Sequence, residues 1–270
     1  MESYVTISDL LPSLGCRYAG AMRHSLREWS APGTALYLGT AVHKYMEWVL
    51  GGRVGDAPLA TFSDAVSQSS YDAIVASVAN WTPEWKVISV EQEVSTPIST
   101  DWNSYTLKGR LDAVVEDSLG RHWSLQWKTI GKGQNIAAKL EDVRMSPHEI
   151  TYNYAYGEKM VGTIVGLFRK SLTKAEREMN VPVFQLYQLL RTWDETTSAY
   201  TLDVRPLLEQ FLHDAHQAQD VPRNWTNCRG KFGNMPCPLY DHCHMGLPVA
   251  SLGLVPLEDR YGSSEESSET

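Results

Sequence analysis

Between residues 34 and 50 (TALYLGTAVHKYMEWVL) the apolar positions Leu36, Ala41, Val42, Tyr45, Met46 and Val49 recur at helical spacing, and Gly51-Gly52 ends the run. The same reading predicts helices over 7–29, where Ser8 is a candidate N-cap and Pro12 marks an irregular start, and over 62–80. At residue 86 the period shortens to that of a strand. Residues 86–95 (KVISVEQEVS), 105–116 (YTLKGRLDAVVE) and 122–128 (HWSLQWK) alternate, and DSLGR between the last two reads as a hairpin turn. Helical spacing returns over 147–169, opened by Pro147. Residues 181–192 and 199–204 read as a second strand pair, and 205–218 as a helix. A segment punctuated by Cys, Pro and Gly follows over 222–246, and the polar, acidic GSSEESSET at the end is expected to be disordered. Strands framed by helices predict an α/β fold with a central mixed sheet. One domain is expected over 1–246, followed by a polar acidic tail over 247–270, and no internal repeat is visible.

A length of 270 residues suits one large α/β domain or a domain with an appended subdomain, and 43% hydrophobic residues are enough for a sizeable core. The net charge of −8 excludes attraction of a polyanion by overall charge, so any nucleic-acid contact must come from a local basic cleft. Acidity is compatible with a metal site, which needs carboxylates and brings its own positive charge. The opening MESYVTISDLLPSLG lacks a basic leader and a continuous apolar run. Charges interrupt the apolar stretches well before the ~18 residues a membrane span needs. A cytoplasmic chain with no membrane partner is expected, its cysteines reduced or metal-bound.

Candidate chemistry gathers on the predicted hairpin. Gln126 and Lys128 point to one face of their strand, and Asp112 on the preceding strand can face them at the end away from the turn. An acid, an amide oxygen and an ammonium on one surface suit phosphodiester hydrolysis: oxygens hold Mg²⁺ or Mn²⁺, and a lysine stabilises negative charge on the phosphate. The competing reading is a set of solvated surface groups. His43 lies four residues after Gly39 on the predicted helix, which suits either a ligand beside a close approach or a buried histidine beside a packing glycine. Glu91 and Glu93, two apart on the strand before, can add a ligand or face solvent.

All four cysteines fall into a one-plus-three pattern: Cys16 near the start, then Cys228, Cys237 and Cys243 as C-x8-C-x5-C. The Gly- and Pro-rich NCRGKFGNMPCPLYDHC suits a loop around a metal centre. Four thiolates bind Zn²⁺ or an iron–sulfur cluster, and the wide spacing without a short CxxC knuckle favours the cluster. His242 and His244 keep a Cys3His zinc site as the alternative.

These motifs, in this order, resemble the RecB-like branch of the PD-(D/E)xK nuclease superfamily. Within it the chain is most similar to the iron–sulfur exonucleases associated with CRISPR systems, their phage-encoded relatives and the AddB nuclease domain. The carriers are GCRYAG with Cys16, GTAVH with Gly39 and His43, GRLD with Gly109 and Asp112, QWK with Gln126 and Lys128, and the three late cysteines, spanning about residues 8–245. The resemblance implies a restriction-endonuclease-like core. It implies metal ligation by His43, Asp112, Gln126 and the backbone carbonyl of Trp127, with Asp112, Gln126 and Lys128 as catalytic residues. It also implies a [4Fe-4S] cluster on Cys16, Cys228, Cys237 and Cys243, joining the first helix to the C-terminal segment.

Metal-dependent cleavage of single-stranded or end-bearing DNA is then the expected activity, with oligomerisation or DNA-processing partner proteins as possible company. Where the family carries a second acid this chain has Gln126, which leaves open a nuclease-fold DNA-binding subunit without turnover. The family's QxxxY is aligned with Tyr154 at the tyrosine and Ile150 at the glutamine. Arg17, Lys132, Lys139 and Arg144 are candidate phosphate contacts, and Tyr152, Tyr154 and Trp127 candidate stacking platforms, beside the reading of ordinary surface charges and core aromatics.

Overall fold

The computed structural model describes residues 4–7, 16–26, 28–29, 34–101, 104–217, 221, 237–245 and 247–256. The chain divides into two compact units: residues 33–96 with 108–204, and residues 1–32, 97–107 and 205–270.

The larger unit is built on strands β3 (Lys86–Ser99), β4 (Ser104–Glu116), β5 (His122–Ile130), β6 (Met160–Arg169) and β7 (Phe184–Leu190). The outer turn of the β3–β4 hairpin belongs to the other unit. β4 pairs antiparallel with β5, β5 parallel with β6, and β6 antiparallel with β7, so the sheet is mixed. β5 and β6 are central strands buried on both faces, which is why they read as nearly unbroken apolar runs. Helical period and a buried strand cannot be told apart in such a run. Residues 160–169, expected to continue a helix, therefore form β6. Residues 199–204, expected as the second strand of a pair, are instead the last residue of α7 (Trp193–Ala199) and one π turn. Thr192 and Glu195 close a reciprocal capping box that starts that helix.

One face of β5 carries Trp123, Leu125 and Trp127. They pack against Leu38, Val42, Tyr45 and Met46 of α2 (Thr34–Leu50) and Tyr71, Ile74 and Val78 of α3 (Ala65–Val78). Each such side chain fully buried contributes about 1.5–3 kcal/mol. On the other face lie Ser124, Gln126, Lys128 and Ile130, two residues apart. Ile130 joins Val165 and Leu167 under Val143 of α4 (Ile136–Arg144). Asn135 caps α4 by accepting from Ala138, and α5 (Pro147–Tyr156) follows with Pro147 in its first turn. These two helices, with the polar residues beneath them, frame the candidate site.

In the other unit, α1 (Arg17–Leu26) packs on α8 (Arg205–His216), with Leu208, Phe211 and Leu212 buried. Of the predicted helix over 7–29, Ile7 and residues 17–26 are helical among the described residues, Glu28–Trp29 form a strand instead, and Ser8 and Pro12 lie outside them. Strand β1 (Tyr4–Thr6) neighbours β4, and β2 (Glu28–Trp29) pairs antiparallel with β8 (Val255–Pro256). The segment expected as a tail from 247 is therefore ordered to Pro256: Leu252 and Leu254 pack on the cysteine-bearing core before the acidic run begins, and 257–270 lie outside the described residues. Among the described residues no helix is long and apolar enough to cross a membrane.

Candidate metal and phosphate site

The β4–β5 ladder is registered from Glu116–His122 to Ala113–Leu125. One residue further, two side chains take up the backbone of Trp127. Its amide donates to Asp112 Oδ2 (2.9 Å), and its carbonyl accepts from His43 Nε2 (2.9 Å). The other ring nitrogen of His43 lies 3.3 Å from Asp112 Oδ1. Asp112, His43 and the Trp127 peptide therefore close one ring of contacts where the hairpin opens. The Trp127 side chain, buried against α2 and α3, anchors that peptide.

Both oxygens facing His43 are acceptors, so both ring nitrogens must carry protons for the two contacts to hold together. Burial pushes the His43 imidazole down, but the Asp112 carboxylate outweighs it and holds the imidazole above its ordinary range. Asp112 mirrors this. Burial pushes its carboxyl up, and the His43 charge and hydrogen bond, Lys128 and the Trp127 amide together bring it below the usual carboxylate range.

Gln126 (6% exposed) and Lys128 line a cavity of about 250 Å³ on the α4–α5 face of the sheet, with Lys139, Asp142, Val143 and Ser146 from one side and His148, Glu149 and Tyr152 from α5. Tyr152 lies so close to β4 that a Cβ on Gly109 would overlap its ring, which explains the glycine of GRLD. His148 and Tyr152, one helical turn apart, form the aromatic pair at the cavity wall. Burial, then Lys128, pushes the His148 imidazole down to about 4, so it is neutral at pH 7. Burial pushes Glu149 up to about 7, against the opposing pull of Lys128.

The structure thus brings His43, Asp112, Trp127, Gln126, Lys128 and Tyr152 to one region of the larger unit. Lys132 is exposed on the turn after β5. Tyr154 lies away from the cavity lining, its ring stacked on Tyr200 and Trp193 at 3.9 and 5.7 Å, a packing role. Of the α5 residues lining the cavity, His148 and Tyr152 have the four-residue spacing of QxxxY, two positions before the aligned Ile150 and Tyr154, and Glu149 stands beside them. Glu91 pairs with Arg110 (2.5 Å), and Glu93 is exposed. Glu149 and His148 escaped sequence reasoning. The available signal was a Glu one turn before Asn153 in PHEITYNYAY, two polar residues on a side of α5 that the structure buries.

In the smaller unit Cys16, Cys237 and Cys243 meet in one apolar cluster with Tyr18, Ala19, Val221 and Leu239, and Cys228 lies outside the described residues. The two ring nitrogens of His242 face the Tyr18 hydroxyl (3.0 Å) and the Leu247 carbonyl (2.8 Å). Arg17 is held by the buried Asp214 through two bonds of 2.6 and 2.5 Å, so its guanidinium serves the α1–α8 contact. Among the described residues no group of three or more His, Cys, Asp and Glu stands ready-made around a metal.

No family model matches the sequence. No curated protein matches it either. Among solved structures, a chain described as "Crystal structure of SSO0001" is similar at 15% identity and a TM-score of 0.43, covering 84% of this chain and 82% of that one, a likeness too loose to bear on activity.

Proposed function

We propose that this chain is a divalent-metal-dependent DNA nuclease of the PD-(D/E)xK type, acting on single-stranded or end-bearing DNA. The observation that carries the reading is the closure of His43, Asp112 and the Trp127 carbonyl at the open end of the β4–β5 hairpin, beside a cavity lined by Gln126 and Lys128. The donors suit a hard cation. A divalent cation would displace the proton from the one ring nitrogen of His43 that it binds, leaving the other nitrogen to its oxygen partner.

His43, Asp112, Gln126 Oε1 and the Trp127 carbonyl would hold the metal. Bound there, it supplies a Lewis acid for the phosphoryl oxygen and lowers the pKa of water. The chain's own groups do the rest. The Lys128 ammonium, on the strand face it shares with Gln126, stabilises charge on the phosphoryl oxygens as water oxygen bonds to phosphorus and the sugar oxygen leaves. Lys139, across the cavity, binds the phosphate backbone. The Tyr152 ring at the wall offers a face to a base. The convergence of Cys16, Cys237 and Cys243 in one core supports a thiolate metal centre that includes Cys228, and their wide spacing without a CxxC knuckle favours an iron–sulfur cluster over zinc.

Gln126 supports a second reading. A neutral amide cancels no cationic charge, so the same site on a non-cleaving DNA-binding subunit binds phosphate without turnover. End-labelled single- and double-stranded DNA, incubated with anaerobically purified protein and Mg²⁺ or Mn²⁺, separates the two. Cleavage that falls at least about a hundredfold in both Asp112→Ala and Lys128→Ala is expected. Folded protein that retains DNA and cleaves with neither metal establishes the binding subunit instead.

A further inference from the structure

Glu149 is 3% exposed, yet it lines the cavity with Gln126 and Lys128. Its Oε2 accepts from the Thr163 hydroxyl (3.1 Å), and Asn153 donates to the same Thr163 oxygen (3.1 Å). Thr163 stands opposite Ser124 on the neighbouring strand, 2.8 Å between hydroxyl oxygens, and Ser124 is two residues before Gln126 on the same face of β5. A network of small hydroxyls therefore fixes the carboxylate from one side. Its other oxygen, Oε1, is buried and accepts no hydrogen bond. A buried carboxylate oxygen left in that state costs roughly 1–3 kcal/mol or more, and a proton, a bound water, an ammonium or a metal cation relieves it. Lys128 lies within electrostatic range and makes no ion pair with Glu149. Asp112 holds the amide of Trp127, next to Gln126, and Glu149 lines the cavity with Gln126, so Gln126 lies between the two acids along the site.

We infer that Glu149 supplies, from helix α5, the second carboxylate that β5 lacks at Gln126, so that a divalent cation is held between Asp112 and Glu149 with Gln126 as a neutral ligand. The inference rests on the metal-site reading above and removes its weakest point. The negative charge missing from the strand is present in the cavity on a neighbouring helix. One acid to amide exchange on the strand and one glutamate on the helix leave the charge at the site unchanged.

The test is Mn²⁺ binding to the full chain, measured by calorimetry and by the loss of the free-ion EPR signal, without DNA and independent of turnover. Glu149→Gln keeps the shape and removes the charge, and is expected to weaken Mn²⁺ binding by about tenfold or more. Adding Gln126→Glu to that variant returns the carboxylate to the strand and restores binding to within a few-fold. Should the amide variant fold poorly, Glu149→Asp retracts the carboxylate by one methylene and weakens binding in the same direction. Wild-type affinity in Glu149→Gln, alongside weakened binding in Asp112→Asn, overturns the role of Glu149 and leaves the metal site standing. Mn²⁺ affinity unmoved in both Asp112→Asn and Glu149→Gln removes the metal-site reading and this inference together.

Discussion

At the residue scale, the titrations of Glu149 and His43 set how stability of the metal-free protein responds to pH. Glu149 has a folded pKa of about 7 against an ordinary 4.5, so between those values the folded chain holds a proton that the unfolded chain has released. Stability therefore falls as pH rises from about 4.5 to about 7, by roughly 3 kcal/mol at about 1.4 kcal/mol per unit, and levels off above. The His43 imidazole, raised above 6.5 by Asp112, runs the same way: its contribution is complete below about 6.5 and is lost as pH climbs through the folded value. Denaturant unfolding of wild type and Glu149→Gln at pH 5 and pH 8 measures the first part. The variant should lose about 3 kcal/mol less than wild type between the two, and equal losses would show that the Glu149 carboxyl titrates normally. Adding Mn²⁺ at pH 8 should stabilise wild type, with a smaller gain in Asp112→Asn, because a ligand that binds only the folded state adds its binding free energy to stability.

At the element scale, strand β4 and helix α5 are fitted to each other at Gly109 and Tyr152. Gly109→Ala forces the Tyr152 ring off the strand, and with it the cavity wall that also carries His148 and Glu149. Overpacking of this kind costs about 1–3 kcal/mol. Tyr152→Ala removes the obstruction, so in a double-mutant cycle Gly109→Ala should cost less than about 0.5 kcal/mol in the Tyr152→Ala background. Additive costs would locate the requirement for glycine in the backbone instead. This pairing also shows how much was legible in sequence. The hairpin, with Asp112 opposite Gln126 and Lys128, was readable because strand period fixes faces and the turn fixes register. The α2 helix with His43 was readable because its apolar stripe is regular. The wall of the site was not. It hangs on β6, whose MVGTIVGLFR is buried on both faces and carries no alternation to separate strand from helix. With β6 misread, Thr163 had no place beside Ser124 and nothing marked Glu149 as facing the cavity. The motif spacing placed Tyr154 at the tyrosine of QxxxY, and only the structure, with the Tyr152 ring against Gly109 and the Tyr154 ring on Tyr200, sets Tyr152 at the cavity instead.

At the scale of the whole molecule, the candidate site and the described cysteines fall in different compact units. The candidate catalytic groups all lie in residues 33–96 and 108–204, and the described cysteines all lie in the unit formed by both ends of the chain. Cys16 precedes α1, and Cys237 and Cys243 flank the start of α9 (Tyr240–Met245), so a cluster on them would join the two ends of the chain within the smaller unit. A cofactor bound only by folded chain stabilises the unit that holds it. Removing it should therefore act on one unit and spare the other. Hydrogen exchange read peptide by peptide tests this, with anaerobic protein compared with the same protein after chelator treatment and with Cys16→Ser. Amides of α1 and α8 should exchange at least about tenfold faster once the cluster is lost, whereas those of β5 and β6 keep their protection, because exchange follows the opening of the local cooperative unit. A brown colour with broad absorption near 400 nm, expected for such a cluster, should disappear in the same samples. If β5 and β6 lose protection to the same degree, the chain opens as one cooperative body, and the cysteine site is then a determinant of the catalytic sheet as well.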